Sequence, residues 1–266
     1  VTDERTLQAR RPEAHVNVSR IGFTSLKGAR HVPRPFVDLT LAGPVGDRVF
    51  CLVDPVRGRV IRTVENPTLM QTTATWADGL LTATLPGAVV EGAPGFTGAT
   101  RTVDYWGRRV TLEIVDGPWA EAYSSFLGRD VVLARAGGGD VVYGASVSLI
   151  TSGSVVELSR RAGMPVLDAQ LRATFTVHTD APHLEDGWIG RRIALGEAEV
   201  EVRRAIARCR VIDLDPDTGR GRTEGLKALA DYRRQGNELV FGVDGVVTKA
   251  GRVHVGDTVR PVRGPQ

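Results

Sequence analysis

The 266-residue chain has only two cysteines, Cys51 and Cys209, and only 6% of its residues are aromatic. So few thiols exclude a disulfide-stapled scaffold, and they cannot build a four-thiolate iron–sulfur cluster. There is no G-x-G-x-x-G fingerprint for a dinucleotide and no G-x-S-x-G nucleophile elbow. The five histidines, His15, His31, His178, His183 and His254, show no zinc spacing with either cysteine. No apolar run is long enough to span a membrane, and Val1 to His15 is polar and charged with no apolar stretch of signal-peptide type. These absences lead us to expect a cytoplasmic protein with two free thiols and no membrane partner. Charge of one sign is scarce too: 34 basic residues against 31 acidic ones leave +3, with no basic arm for nucleic acid.

What is present is an ordinary globular composition, 42% apolar and 24% charged, long enough for one large or two ordinary domains. The 31 glycines and 14 prolines fall between short runs rich in Val, Ile and Thr, the pattern of many strands joined by tight turns. The runs are Arg48 to Val53, Arg59 to Val64, Arg109 to Val115, Asp130 to Arg135, Val141 to Ile150, Leu171 to His178, Glu197 to Ile212 and Arg252 to Val262. Gly137-Gly138-Gly139 lies between two of them and reads as a hairpin turn.

Three segments switch to helical period. Pro118 to Leu127 ends at Gly128; Ser154 and Glu157 have capping-box spacing ahead of Gly163; and Thr223 to Gln235 stops at Gly236. The expected fold is mainly β with a few short helices, built as two packed β-barrel-like domains over residues 14–129 and 130–264. A ligand site is expected in the cleft between them.

The most chemically suggestive stretch is Arg208-Cys209-Arg210, followed by the acidic turn Asp213 to Gly219. Cationic neighbours favour a reactive thiolate. If the strand ran on regularly, Cys209 would share a face with Ala205, Ala207 and Val211 and be a small core residue, so both readings stand. Asp213, Asp215, Asp217 and Glu224 imitate calcium-loop spacing, but Thr218 occupies the place that needs glycine.

Several blocks resemble the MOSC domain preceded by its N-terminal β-barrel, as in the mitochondrial amidoxime-reducing component and its bacterial relatives. They are Asp168 to Arg172, Leu184 to Trp188, Arg208-Cys209 with Asp215 to Gly219, Leu226 through Arg233, Phe241-Gly242 and Val255 to Asp257. In the first half, Ser25-Leu26-Lys27-Gly28 and Asp47-Arg48-Val49-Phe50 resemble the family's S-x-[KR]-G turn and D-R-[FW] strand start. Thr24 stands where relatives commonly carry lysine, Arg172-Ala173-Thr174 where they carry Arg-Pro-Asn, and Arg62 near an arginine they carry after the first hairpin.

The resemblance implies the molybdenum cofactor, molybdopterin with molybdenum, bound by Cys209 as the metal's protein ligand. Lys27, Arg48, Arg172 and Arg208 would be its phosphate and pterin contacts, with Thr24, Ser25, Ser146 and Thr174 beside them and Asp215 orienting water or substrate. The implied activity is reduction of N-hydroxylated small molecules, with electrons from a separate flavin or iron–sulfur protein. Two alternatives are a sulfur-carrying protein using a Cys209 persulfide and a non-catalytic cofactor carrier.

Overall fold

The computed structural model describes residues 16–262, so His15 and the outer ends of the two expected domains lie outside the described residues. Two large β assemblies dominate, as the alternating runs predicted. The first is a closed barrel of strands Phe50–Asp54, Arg59–Val60, Gly95–Tyr105, Arg108–Asp116 and Val132–Arg135. Cys51, Val53, Val60, Val103, Leu112 and Ala134 fill its inside, while Phe50, Leu52, Leu133 and Val115 on its outer face pack against Trp119 and Tyr123 of helix α1, Trp119–Leu127. The second is a nine-stranded sheet centred on Val147–Thr151, Glu238–Lys249 and Ala198–Ala207. Its core includes Leu149, Phe175, Val200, Val202 and Val243.

The sheets interleave across residue 129. Strand Asn17–Phe23 belongs to the nine-stranded sheet, pairing with Phe175–His178, and Phe36–Thr40 pairs with Gly251–His254. Val132–Arg135, conversely, pairs with Phe50–Asp54 in the barrel. Among the described residues no helix is long and apolar enough to cross a membrane, which says nothing about spanning by strands.

Helix α1 ends where expected, at Gly128 in a left-handed conformation. Helix α2, Ser152–Ala162, starts earlier than the capping-box spacing suggested: its cap is Thr151, whose hydroxyl accepts from the Ser154 amide. The Ser154 hydroxyl instead donates to buried Glu185, as does Thr151. Helix α3, Gly225–Tyr232, is shorter than the periodic stretch. Arg234–Gln235 leaves it to pair with Glu238–Leu239 across Gly236, so that glycine turns a hairpin rather than capping the helix. The glycine triplet is not a strand-to-strand hairpin either. Asp140 accepts from the Gly137 amide, and the chain stays irregular until Val147.

Three expected strands are cut short, two by tight 3-10 turns and one by an irregular segment. Leu171 belongs to the turn Asp168–Leu171, and Val141 to Ser146 is irregular. The run Glu197 to Ile212 stops at Ala207, leaving Cys209 extended ahead of a turn at Arg210–Asp213. Cys209 is therefore not a core strand residue: it is exposed, while Cys51 is fully buried and its thiol is pushed up to about 12 by that burial.

Candidate functional site

A cavity of about 230 Å³ opens where the barrel meets the nine-stranded sheet, and Cys209 stands on its wall. The thiol is there because strand Ala198–Ala207 runs out beside it: the Arg208 amide still bonds the Leu239 carbonyl at 2.8 Å, and the next residue turns away. Five cationic side chains share the wall, Lys27, Arg48, Arg62, Arg172 and Arg208, contributed by five separate segments.

Lys27 comes from the turn Ser25–Gly28, anchored by its amide to the Phe50 carbonyl at 2.7 Å. Gly28, at φ 100°, makes that turn possible, since a Cβ there would sit 2.8 Å from Leu69. The ammonium lies 5.5 Å from the Tyr105 ring centre, and no carboxylate pairs with it among the described residues. Burial, reinforced by Arg48 and Arg172, depresses its pKa to about 7.

Arg48 is buried, pairs with Asp47 at 2.6 Å, and points Nη2 at His31 Nε2, 3.0 Å away. Burial and the surrounding arginines hold His31 well below its usual range, so its ring is neutral and accepts that bond. Arg172 follows the turn Asp168–Leu171 and donates to the Ala29 carbonyl at 2.8 Å, with burial and then Arg48 lowering it to about 9. Arg208 braces two walls, donating Nε to Phe241 and Nη1 to Leu171, while its buried Nη2 has no partner. Its pKa falls to about 10, chiefly through burial.

Five cations meet two close carboxylates, Asp47 on Arg48 and Glu65 on Arg62, which leaves this wall an excess of three positive charges when Lys27 is protonated. Backbone strain collects here as well. Of five non-glycine residues at positive φ, Arg48, Trp106 and Arg172 all line the cavity. Each such residue costs about 1–3 kcal/mol and is typical of sites whose geometry outranks local comfort.

The remaining expected contacts lie elsewhere. Thr24 and Ser25 are fully buried: the Thr24 hydroxyl donates to Leu26, and the Ser25 oxygen accepts from the Trp76 amide, so they hold the Lys27 turn from behind. Thr174 is buried behind Ser148, bonded to its amide and hydroxyl; Ser148 is the serine that lines the cavity. Ser146 belongs instead to a second cavity beside the glycine triplet.

Asp215 is not on the cavity wall. It accepts from the Asp217 and Thr218 amides and from the Thr218 hydroxyl, and Arg222 stands 3.4 Å away. Burial works against its charge, but these partners hold the carboxyl below its usual range. Asp215 thus shapes a turn that clasps the first half of the chain: Gln71 donates to the Thr218 carbonyl, Arg30 pairs with Asp217, and Gly219 lies flat on Pro67. The acidic turn is a fastening between assemblies and not a wall of the site.

Sequence reading overlooked Tyr105, Trp106 and Tyr143, which form an aromatic side of the cavity. The available signal was Trp106-Gly107 at a hairpin turn in a chain poor in aromatics.

The charges predict a pH dependence. Lys27 is protonated below about 7, so sulfate, whose own charge is constant there, should bind best at pH 6 and weaken as pH rises through about 7. Between about 7 and the usual 10.5 the unfolded chain binds the Lys27 proton and the folded one does not, so this residue makes stability rise with pH across that window. Lys27→Met should remove both trends, read by calorimetric sulfate titration and thermal melts.

Residues 134–260 match the model of the MOSC domain. The molybdenum cofactor sulfurase of Aspergillus terreus is 33% identical over 89 residues, 32% of this chain and 11% of that protein. Human mitochondrial amidoxime-reducing component 1 is 28% identical over 120 residues, 42% of this chain and 35% of that protein. The chain therefore spans well under half the length of these relatives. Among solved structures, the YuaD protein of Bacillus subtilis superposes over 92% of this chain and 93% of its own, with 13% identity and a TM-score of 0.45.

Proposed function

We propose, from a chain whose residues 134–260 are a MOSC domain, that the cavity holds the molybdenum cofactor and that the chain is an oxidoreductase acting on N-hydroxylated small molecules. One observation carries this reading: an exposed thiol and several under-neutralised cations converge on one cavity between two β assemblies. The residues suit such a group. Lys27 and Arg172 lack carboxylate partners among the described residues and would take its phosphate, and the buried Arg208 Nη2 is a donor without an acceptor. Cys209 Sγ would ligate the metal, a soft donor for an ion already held by sulfur. When bound, the cofactor supplies two-electron redox chemistry at molybdenum.

The chain's own groups would do the rest. Arg48, fixed by Asp47 and His31, maintains positive potential behind the phosphate; Tyr105 walls off water on the barrel side; Ser148 offers a hydroxyl at the rim. Electrons would come from a separate flavin or iron–sulfur protein. A second reading is favoured by the exposure of Cys209 together with the sulfurase relatives: the thiol would carry a persulfide.

The test uses full-length protein from a cofactor-producing host. About one molybdenum per chain, with reduction of benzamidoxime by an artificial donor such as reduced methyl viologen, is the expected result. Metal-free protein would overturn the reading, and persulfide labelling at Cys209 without molybdenum would replace it with the second.

A further inference from the structure

Strands Gly95–Tyr105 and Arg108–Asp116 pair up to Tyr105 and Arg108, so their turn is the two residues Trp106 and Gly107, at φ 55° and 78°. Two successive positive φ values call for Asn-Gly or Gly-Gly, and a bulky tryptophan is a poor occupant of the first place. Asp104 already secures the turn by accepting from the Gly107 amide at 2.9 Å, so the indole is not needed to close it. Nor does burial compensate, because Trp106 is 41% exposed. What the strained position achieves is to hold an indole at the cavity mouth.

Tyr143, equally exposed, meets it edge to face with ring centres 5.7 Å apart. The Arg62 guanidinium lies 4.4 Å over the indole, steadied by Glu65, with its Nε buried and lacking a partner. An aromatic corner with a cation behind it offers flat stacking surface and attracts electron-rich or anionic rings. The unneutralised Lys27 and Arg172 deeper in repel positive charge.

We propose that Trp106, Tyr143 and Arg62 form a stacking lip that admits planar aromatic compounds, neutral or anionic, in preference to saturated or cationic ones of similar size. This rests on the reading above, since it names the substrate class of that same cavity.

The test is direct binding to the full chain, with and without molybdenum loaded, by calorimetry and by fluorescence quenching of Trp106, the most exposed of the four tryptophans. The probes are 4-carboxybenzamidoxime, its 4-trimethylammonio counterpart and the saturated 4-carboxycyclohexanecarboxamidoxime. Wild type should bind the carboxylate about tenfold tighter than either of the others, a margin that one good stacking contact supplies over the saturated probe. Trp106→Gly and Tyr143→Ala should lose the margin over the saturated probe while keeping that over the cationic one, which Lys27 and Arg172 set, and Trp106→Gly should melt at or above the wild-type temperature, because glycine suits the turn. Equal affinities in wild type, or an undiminished margin over the saturated probe in both variants, would overturn the lip. Because binding is read without turnover, the two readings fail separately. Protein that acquires no molybdenum in a cofactor-producing host yet keeps the margin sinks only the metal assignment, and loaded protein without a margin sinks only the lip.

Discussion

Cys209→Ala is expected to strip molybdenum from the protein to less than about a tenth of the wild-type content and to lower amidoxime turnover on the order of a thousandfold. The size follows from the lack of a substitute. Among the described residues no group of three or more histidines, cysteines, aspartates or glutamates is arranged to hold a metal, and the other thiol is sealed in the barrel. The fold should be untouched, because an exposed side chain between a strand end and a tight turn contributes little packing. Sulfate affinity should stay within about twofold of wild type, since Lys27, Arg172 and Arg208 remain. Metal analysis, turnover and sulfate titration of one preparation check this together. Full molybdenum content in the variant would remove Cys209 from the metal.

Gly219→Ala is expected to destabilise the chain by about 2–5 kcal/mol, adding the strain of a left-handed alanine to the overlap of its methyl group. Gly219 has φ 71°, and a Cβ there would enter the Pro67 carbonyl. That carbonyl is backbone in the turn Pro67–Gln71, which is itself anchored by its buried Leu69 and Met70 and cannot swing aside as a side-chain tip could. The drop in Tm should be on the order of 10 °C for a chain of this size. Gly221→Ala, two residues on with open space around it, should move Tm by about a degree or less and serves as the control. If the two variants melt together, the clasp between Asp215 to Gly219 and the first half of the chain contributes nothing to stability.

How much was legible in the sequence depended on the range of the forces involved. Mainly β character, helix α1 and the presence of Lys27, Arg48, Arg172, Arg208 and Cys209 around one cavity follow from local patterns and from blocks resembling a known family. Strand ends were misjudged wherever a 3-10 turn replaced the last residues, because apolar content there is the same in either conformation; Leu171 and Ile212 are buried in turns as they would be in strands. Ser146 and Ser148 differ by two positions, which keeps the same strand face in a pattern, yet only Ser148 lines the principal cavity, since the strand begins at Val147. Asp215 was expected to orient water or substrate because the block holding it and Cys209 resembles the family's. Its oxygens are spent on the turn's own amides, which no spacing rule reveals. The clasp itself joins residues almost 150 positions apart, Gln71 to Thr218, and has no local signature.

The interleaved sheets set a timetable for the newborn chain. Strand Asn17–Phe23 is made early, but its partner Phe175–His178 leaves the ribosome roughly 150 residues later, on the order of ten seconds at ordinary elongation rates. Val32–Arg34 pairs with one edge soon after synthesis, but until Phe175–His178 arrives the other edge has no native neighbour, and Val18, Ile21 and Phe23 lack most of the core that covers them. Folding of the nine-stranded sheet must therefore wait until Phe175–His178 has emerged. During that wait the protein depends on whatever shields a nascent edge from its neighbours on the same message.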